Sequence, residues 1–217
     1  MVTTIHLVRH GEVFNPDRIL YGRMDGFRLS TRGQEMARLT AKFLSGLGRD
    51  VASVTASPLL RAQQTAAPIA EALSITRVFT DAGLIEAGND FEGTSVGAQP
   101  WKLAAPRYWP RYRNVFTPSW GEPYADMVAR MSAVVERVRS ESVGRDAVLV
   151  SHQLPIWVTR LYFEGKHLWH NPARRQCTTC SITSLVFDDE GAFQKVEYAE
   201  PAADLSQDFS ADGWSAK

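Results

Sequence analysis

Short β-branched runs and longer stretches of helical period take turns along this chain, and that alternation limits its fold more than anything else. Thr3-Thr4-Ile5-His6-Leu7, Val51-Ala52-Ser53-Val54-Thr55-Ala56, residues 75–79 and Asp146-Ala147-Val148-Leu149-Val150-Ser151-His152 read as strands. Between and after them apolar residues recur at helical spacing: Met36, Leu39, Thr40, Phe43, Leu44 and Leu47; then Leu59, Ala62, Ala66, Ile69, Ala70 and Leu73. Met127, Met131, Val134, Val135 and Val138 follow on a helix from about Tyr124 to Ser140, then Ile156, Val158, Leu161 and Tyr162. Strand and helix in succession predict right-handed crossovers. The expected fold class is therefore α/β, a three-layer α/β/α architecture with a mostly parallel sheet. Ile182–Phe187 and Phe193–Tyr198 read as a closing hairpin about Asp188-Asp189-Glu190-Gly191. Ser30 or Thr31 is expected to cap the first helix, with Gln34 completing a capping box from Thr31. Ser57-Pro58 is expected to start the second, the serine acting as cap, and Pro68 to kink it.

With 217 residues and 44% hydrophobic content the chain suits one α/β domain over 1–200 with a modest insertion. The tail over 201–217 is polar and expected to be loose. Lys+Arg and Asp+Glu both number 24, so there is no basic excess of the kind that marks nucleic-acid or membrane-surface proteins. No apolar run approaches the ~20 residues of a membrane span. The N-terminus enters a strand at once, without the apolar region of a signal peptide, and a cytoplasmic location is expected. Two cysteines make no disulfide framework.

In an open parallel sheet, ligands bind at the C-terminal strand ends. The first strand delivers Arg9 and His10 there, before Gly11-Glu12, and the most apolar strand delivers His152. Arginine presents a donor fork suited to phosphate, and an imidazole there is a nucleophile, a base or a metal ligand. Arg61 falls in the first turn of the second helix, at an N-terminus that itself favours anions; the alternative is an arginine facing solvent. Glu86 lies in the loop Gly83-Leu84-Ile85-Glu86-Ala87-Gly88, whose apolar neighbours suggest a desolvated carboxyl fit for a general acid. The loop over 12–30 offers Asn15, Tyr21 and Arg23 as lining groups. Residues 89–122 change character: Trp101, Tyr108, Trp109, Tyr112, Phe116 and Trp120 crowd in with Arg107, Arg111 and Arg113, between four prolines. That stretch reads as a small inserted cap, and its arginines, Arg111 in particular, either as partners for a second anionic group or as partners of surface carboxylates, with the aromatics then part of the core. Two arginines, two histidines and one carboxylate on one sheet edge are the requirements of phosphoryl transfer.

The chain resembles the histidine phosphatase superfamily, branch 1, the phosphoglycerate-mutase-like proteins. The likeness rests on Leu7-Val8-Arg9-His10-Gly11-Glu12, Gly22-Arg23 with Asp25 and Leu29-Ser30, and Ser57-Pro58-Leu59 with Arg61-Ala62 and Gln64-Thr65-Ala66. Leu84-Ile85-Glu86 with Glu92-Gly93, Gly121-Glu122 and Val150-Ser151-His152 complete the ordered set. The resemblance implies a phosphoglycerate-mutase-like fold, His10 as the phosphorylated nucleophile, Arg9, Arg61 and His152 as the phosphate pocket, and Glu86 as proton donor. It places Asn15 and Gly22 on the substrate side, where Arg23, Arg111 and Gln153 are counted with them. Gln153 stands where the family usually has glycine, Asn15 comes one residue early, and Pro123 follows Gly121-Glu122 where serine is common. The cofactor-dependent mutases carry Glu-Arg-x-Tyr-Gly after the acid; here the chain reads Ala87-Gly88-Asn89-Asp90-Phe91. The expectation is a phosphomonoester hydrolase working through a phosphohistidine on a small phosphorylated metabolite, with no metal or other cofactor. Phosphoglycerate mutase is the alternative, and a binding module with an inactive site is the non-enzyme one. A zinc enzyme built on His167-x-x-His170 and Cys177-x-x-Cys180 is a further alternative, disfavoured because an i, i+3 pair entering a strand points to opposite faces.

Overall fold

The computed structural model describes residues 2–94 and 121–205. Six strands, β1 Thr3–Arg9, β2 Val51–Ala56, β3 Val78–Thr80, β4 Asp146–Ser151, β5 Ile182–Phe187 and β6 Phe193–Ala199, form one sheet in the order β3-β2-β4-β1-β5-β6. β3, β2, β4 and β1 are parallel neighbours; β5 runs antiparallel to β1, and β6 antiparallel to β5 as the second arm of the hairpin. Four helices, α1 Thr31–Gly46, α2 Leu60–Ala72, α3 Tyr124–Glu141 and α4 Gln153–Phe163, complete it. The mostly parallel α/β architecture expected from the alternation is the observed one.

Period-two alternation along the central strands sorts the core into two faces. Ile5, Leu7, Ala147, Leu149, Leu185 and Phe187 pack with Met131, Val134, Val135 and Val138 of α3 and Ile156 of α4. Val8, Val54, Val148, Val150 and Ile182 pack on the opposite face with Ala41 and Leu44 of α1 and Ala62, Ala66 and Ile69 of α2. Among the described residues no helix is long and apolar enough to cross a membrane.

Local expectations are corrected in several places. Ser30 caps α1 by accepting from Gly33 N (2.9 Å), so the residue facing the cap is a glycine and no Thr31–Gln34 box forms. The close approach explains that glycine: a Cβ at Gly33 would collide with the Glu12 backbone. Ser57 does not cap α2, which begins at Leu60 after Leu59 and runs through Pro68 to Ala72. β3 starts at Val78 rather than at residue 75. Phe43, Leu47 and Tyr162, expected on the apolar stripes, are exposed. Ala202 is buried with Leu29, Met36 and Cys180, so residues 201–205 pack on the fold, whereas 206–217 lie outside the described residues. The proposed cap also lies largely outside them, but Asn89 and Gly121, at its two ends, form a bridge.

At the far edge of the sheet from the strand C-termini, His6 pairs with Asp146 through Nε2 (3.1 Å) and with Ser184 Oγ through Nδ1 (2.8 Å). Arg49 Nη2 also donates to Asp146 (2.7 Å). Burial pushes the Asp146 carboxyl up, but the hydrogen bonds from His6 and Arg49 outweigh it and hold it below its ordinary value. A depressed carboxyl contributes stability above its unfolded pKa and loses it as pH falls through the folded one. Asp146→Ala should therefore cost about 3 kcal/mol in urea unfolding at pH 7, the price of breaking a buried charged network. The gap to the parent should close below pH ~4. Equal stability at pH 7 would contradict this.

Candidate active site

The neighbouring strands β2, β4 and β1 end on the same edge, and each hands over to a polar group there. β1 ends in Arg9, and His10 N still donates to Ser151 O (3.1 Å) on β4. His152 follows β4 and is the N-terminal flanking residue of α4. β2 leads through Ser57 to Arg61 in the first turn of α2. Glu86 arrives from the loop after β3, past a 3₁₀ turn at Ala82–Leu84. The rings of His10 and His152 meet edge to face with centroids 5.1 Å apart. His152 Nδ1 lies 4.0 Å from Glu86 Oε2. Arg61 is 1% exposed, which removes the solvent-facing alternative.

His10 Nδ1 lies 2.8 Å from the Gly11 carbonyl oxygen. A carbonyl only accepts, so Nδ1 carries the proton and Nε2 carries a lone pair. Burial, then Arg61 and Arg9, lower the His10 pKa well below that of a free imidazole. His152 is lowered well below it too, by burial, then by His10 and the two arginines. The same burial acts on Glu86 with the opposite sign and raises its carboxyl, although Ala87 N donates to it (2.9 Å) and the arginines pull it down. Two neutral imidazoles thus face a carboxyl biased towards its protonated form.

Each site arginine is held by a backbone carbonyl. Arg9 Nη1 donates to Cys177 O (2.7 Å), and Arg61 Nη2 to Gly22 O (2.6 Å), with the Arg61 guanidinium 4.7 Å over the Tyr21 ring. Arg9 Nε, Arg61 Nε and His152 Nδ1 are buried and have no hydrogen-bond partner among the described residues. A buried unpaired donor costs about 1–3 kcal/mol. The two guanidinium Nε–H groups, on arginines whose charges act on His10, are donors that an oxyanion could satisfy.

Family membership follows from a comparison that is independent of this geometry. The model of the histidine phosphatase superfamily (branch 1) matches residues 5–200. The chain belongs to that superfamily. Uncharacterized protein Rv0525 of Mycobacterium tuberculosis is 51% identical over 201 residues, 93% of this chain and 98% of that one. Phosphoserine phosphatase 1 of Hydrogenobacter thermophilus is 33% identical over 153 residues, covering 69% of this chain and 71% of its own. Among solved structures, the mycobacterial glucosyl-3-phosphoglycerate phosphatase superposes with a TM-score of 0.73 at 25% identity, over 92% of this chain and 99% of its own. The Bacillus anthracis phosphoglycerate mutase shares the fold, with a TM-score of 0.70 at 19% identity over 94% of this chain and 95% of its own.

The substrate-side residues expected for a histidine phosphatase fare differently from the core. Asn15 spends its amide on Ile19, donating to its carbonyl (2.8 Å) and accepting from its N–H (3.0 Å), and so shapes the loop. Gly22 has φ +36°, and a Cβ there would strike the Glu92 carboxylate. Arg23 is a clamp: Nε donates to Glu86 O (2.7 Å) and Nη2 to Glu122 (2.9 Å). Gln153 sits half-buried beside His152, its amide 3.4 Å from Cys177 O. Arg111, with the other cap residues from 95 to 120, lies outside the described residues. The zinc set does not assemble: Cys177 and Cys180 are buried thiols pushed up to about 11 and about 12 by desolvation, and no cluster of three metal-ligating residues occurs among the described residues.

Three residues, Ser57, Arg130 and Thr65, have positioning contacts that the sequence reading did not assign them. Ser57 Oγ pairs with His152 Nε2 (2.8 Å) and fixes that ring. Arg130 grips Glu122 with two bonds (2.8 and 2.9 Å) and donates to Gly83 O (2.6 Å), which braces the Glu86 loop from α3. Its spacing from Met127 and Val134 puts it on the apolar stripe, and an arginine there was the available signal. Thr65 accepts from Gly11 N (3.0 Å) and so ties α2 to the histidine motif. Inorganic phosphate should raise the melting temperature of the protein, and Arg61→Gln should weaken phosphate binding by about tenfold or more in calorimetry. Unchanged affinity would mean that the unpaired donors are not an anion site.

Proposed function

We propose that this histidine phosphatase hydrolyses small phosphomonoesters through a phosphohistidine on His10. The observation that carries the reading is the Nδ1–H bond to Gly11 O (2.8 Å), which leaves the His10 Nε2 lone pair free on a ring that meets His152 and lies in the field of Arg9 and Arg61. Nε2 attacks phosphorus in line, and the bond to the leaving oxygen breaks as Glu86 protonates it. Glu86, now a carboxylate, takes a proton from water as that water attacks the phosphohistidine. Phosphate leaves, and His10 is restored. Arg9, Arg61 and His152 supply the field for the phosphoryl oxygens, so no step calls for a metal. The names of the relatives, phosphoserine phosphatase and glucosyl-3-phosphoglycerate phosphatase, support hydrolysis of a phosphorylated metabolite.

A short pulse with labelled substrate should leave an acid-labile, base-stable phosphoryl group, and His10→Ala should abolish it. Label surviving in that variant would overturn the assignment. Glu86→Gln should slow alkyl phosphates far more than p-nitrophenyl phosphate, whose leaving group needs little protonation. The raised Glu86 carboxyl must hold its proton in the free enzyme, so kcat/KM for alkyl phosphates should fall as pH rises through that pKa. Glu86→Gln should lose that limb; equal losses on both substrates with the limb intact would remove Glu86 from proton transfer.

A further inference from the structure

We infer that the Ser57 hydroxyl sets the tautomer of His152, keeping its Nε2 bare and placing the ring proton on Nδ1 as a donor for the phosphoryl group. This rests on the phosphatase reading above and adds a positioning residue to the same site. Ser57 is held from two sides. Its N–H donates to Val150 O (2.9 Å), which carries the β2–β4 pairing one residue further. Its carbonyl accepts from Gln63 Nε2 (2.7 Å) in α2. His152 follows β4 directly. The two side chains thus leave the ends of neighbouring strands, and sheet pairing fixes their separation. Ser57 Oγ lies 2.8 Å from His152 Nε2, and neither residue is exposed.

A bond between a hydroxyl and an imidazole nitrogen runs in either direction, and the surrounding hydrogen bonds decide which. Ser57 Oγ also accepts from Leu59 N (3.4 Å), and among the described residues it has no further partner. His152 Nδ1 is buried without a partner among them. With the proton on Nε2, the Ser57 O–H and the Nδ1 lone pair would both be buried and unpaired. With the hydroxyl donating to Nε2, only the Nδ1–H is left over. The second arrangement orphans one buried polar group fewer, and the group it leaves is a donor. That donor is well placed. His152 Nδ1 lies 4.0 Å from Glu86 Oε2, and its ring meets the His10 ring edge to face with centroids 5.1 Å apart. A phosphoryl oxygen held between nucleophile and acid is an acceptor for it. The partner of one imidazole nitrogen fixes the proton on the other. A neutral hydroxyl does so without the charge by which a carboxylate on Nε2 would favour imidazolium.

The test is side-chain ¹⁵N NMR of histidine-labelled protein at pH 7, with the His152 signals identified by their absence from His152→Gln. The parent should show a protonated Nδ1 and a bare Nε2 on His152. Ser57→Thr, which keeps the hydroxyl, should show the same tautomer. Ser57→Ala removes the donor to Nε2, so the Nε2–H form of His152 should appear while His10 keeps its proton on Nδ1. In Ser57→Ala, kcat/KM for p-nitrophenyl phosphate should fall about tenfold or more, the worth of one donor to an anion, and Ser57→Thr should stay above it. This substrate needs little help from Glu86, so the loss reads the donor and not the acid. Misfolding lowers a rate but does not move a tautomer. A proton on Nε2 or an imidazolium in the parent would overturn the inference, and that measurement needs no variant of Ser57. An unchanged tautomer in Ser57→Ala, or a changed one with no loss of rate, would overturn it as well. A parent inactive on p-nitrophenyl phosphate would instead overturn the phosphatase reading, with the parental tautomer still deciding what Ser57 does.

Discussion

Two guanidinium groups, Arg9 and Arg61, are buried within one pocket, and the arrangement of the site follows from keeping them there. Burying a charge is expensive unless it finds partners. Each arginine finds one backbone carbonyl, Cys177 O or Gly22 O, and each keeps a buried Nε without a partner among the described residues. Those carbonyls come from opposite sides, the entry to β5 and the loop after β1. The pocket is therefore closed by long-range contacts rather than by any one segment. An arriving oxyanion would satisfy the spare donors, so the cost of the free site becomes affinity for phosphate.

One desolvated environment also sets all the proton positions. Burial favours the neutral form of every group, which means a free base for imidazole and a protonated acid for a carboxyl. His10 and His152 are lowered and Glu86 is raised for that shared reason, with the arginines reinforcing the first effect and opposing the second. Both shifts run towards the forms that the proposed roles of His10 as nucleophile and Glu86 as acid would require. What remains is aim. The Gly11 carbonyl fixes the His10 ring, Ser57 fixes His152, and the Arg130–Glu122–Arg23 brace with Ser151 Oγ on Leu84 O (2.7 Å) holds the Glu86 loop.

The architecture, and the gathering of Arg9, His10, Arg61, Glu86 and His152 at one sheet edge, were legible because they depend on short-range patterns. Apolar alternation marks the parallel strands, and parallel strands deliver Arg9, His10, Arg61 and His152 to one edge. Ser57 was misread for a physical reason. Ser-Pro is a good local helix start, but Ser57 N still donates to Val150 O (2.9 Å), so the strand pairing extends through it and the helix waits until Leu60. Arg130 lay hidden on an apolar stripe, since two of its partners, Gly83 and Glu86, are more than forty residues away. Asn15 and Arg23 were assigned to the substrate side from loop position and the family resemblance; in the structure Asn15 bonds the Ile19 backbone, and Arg23 bonds Glu86 O and the Glu122 carboxylate.

The central claim is that His10 is a neutral imidazole with its proton on Nδ1 and its lone pair on Nε2. Side-chain ¹⁵N NMR of histidine-labelled protein, titrated from neutral to acid pH, reads tautomer and charge directly. The account predicts a protonated Nδ1 and a bare Nε2 for His10 at pH 7, with no imidazolium until well below the ordinary histidine range. A proton on Nε2, or an imidazolium at neutral pH, would contradict it.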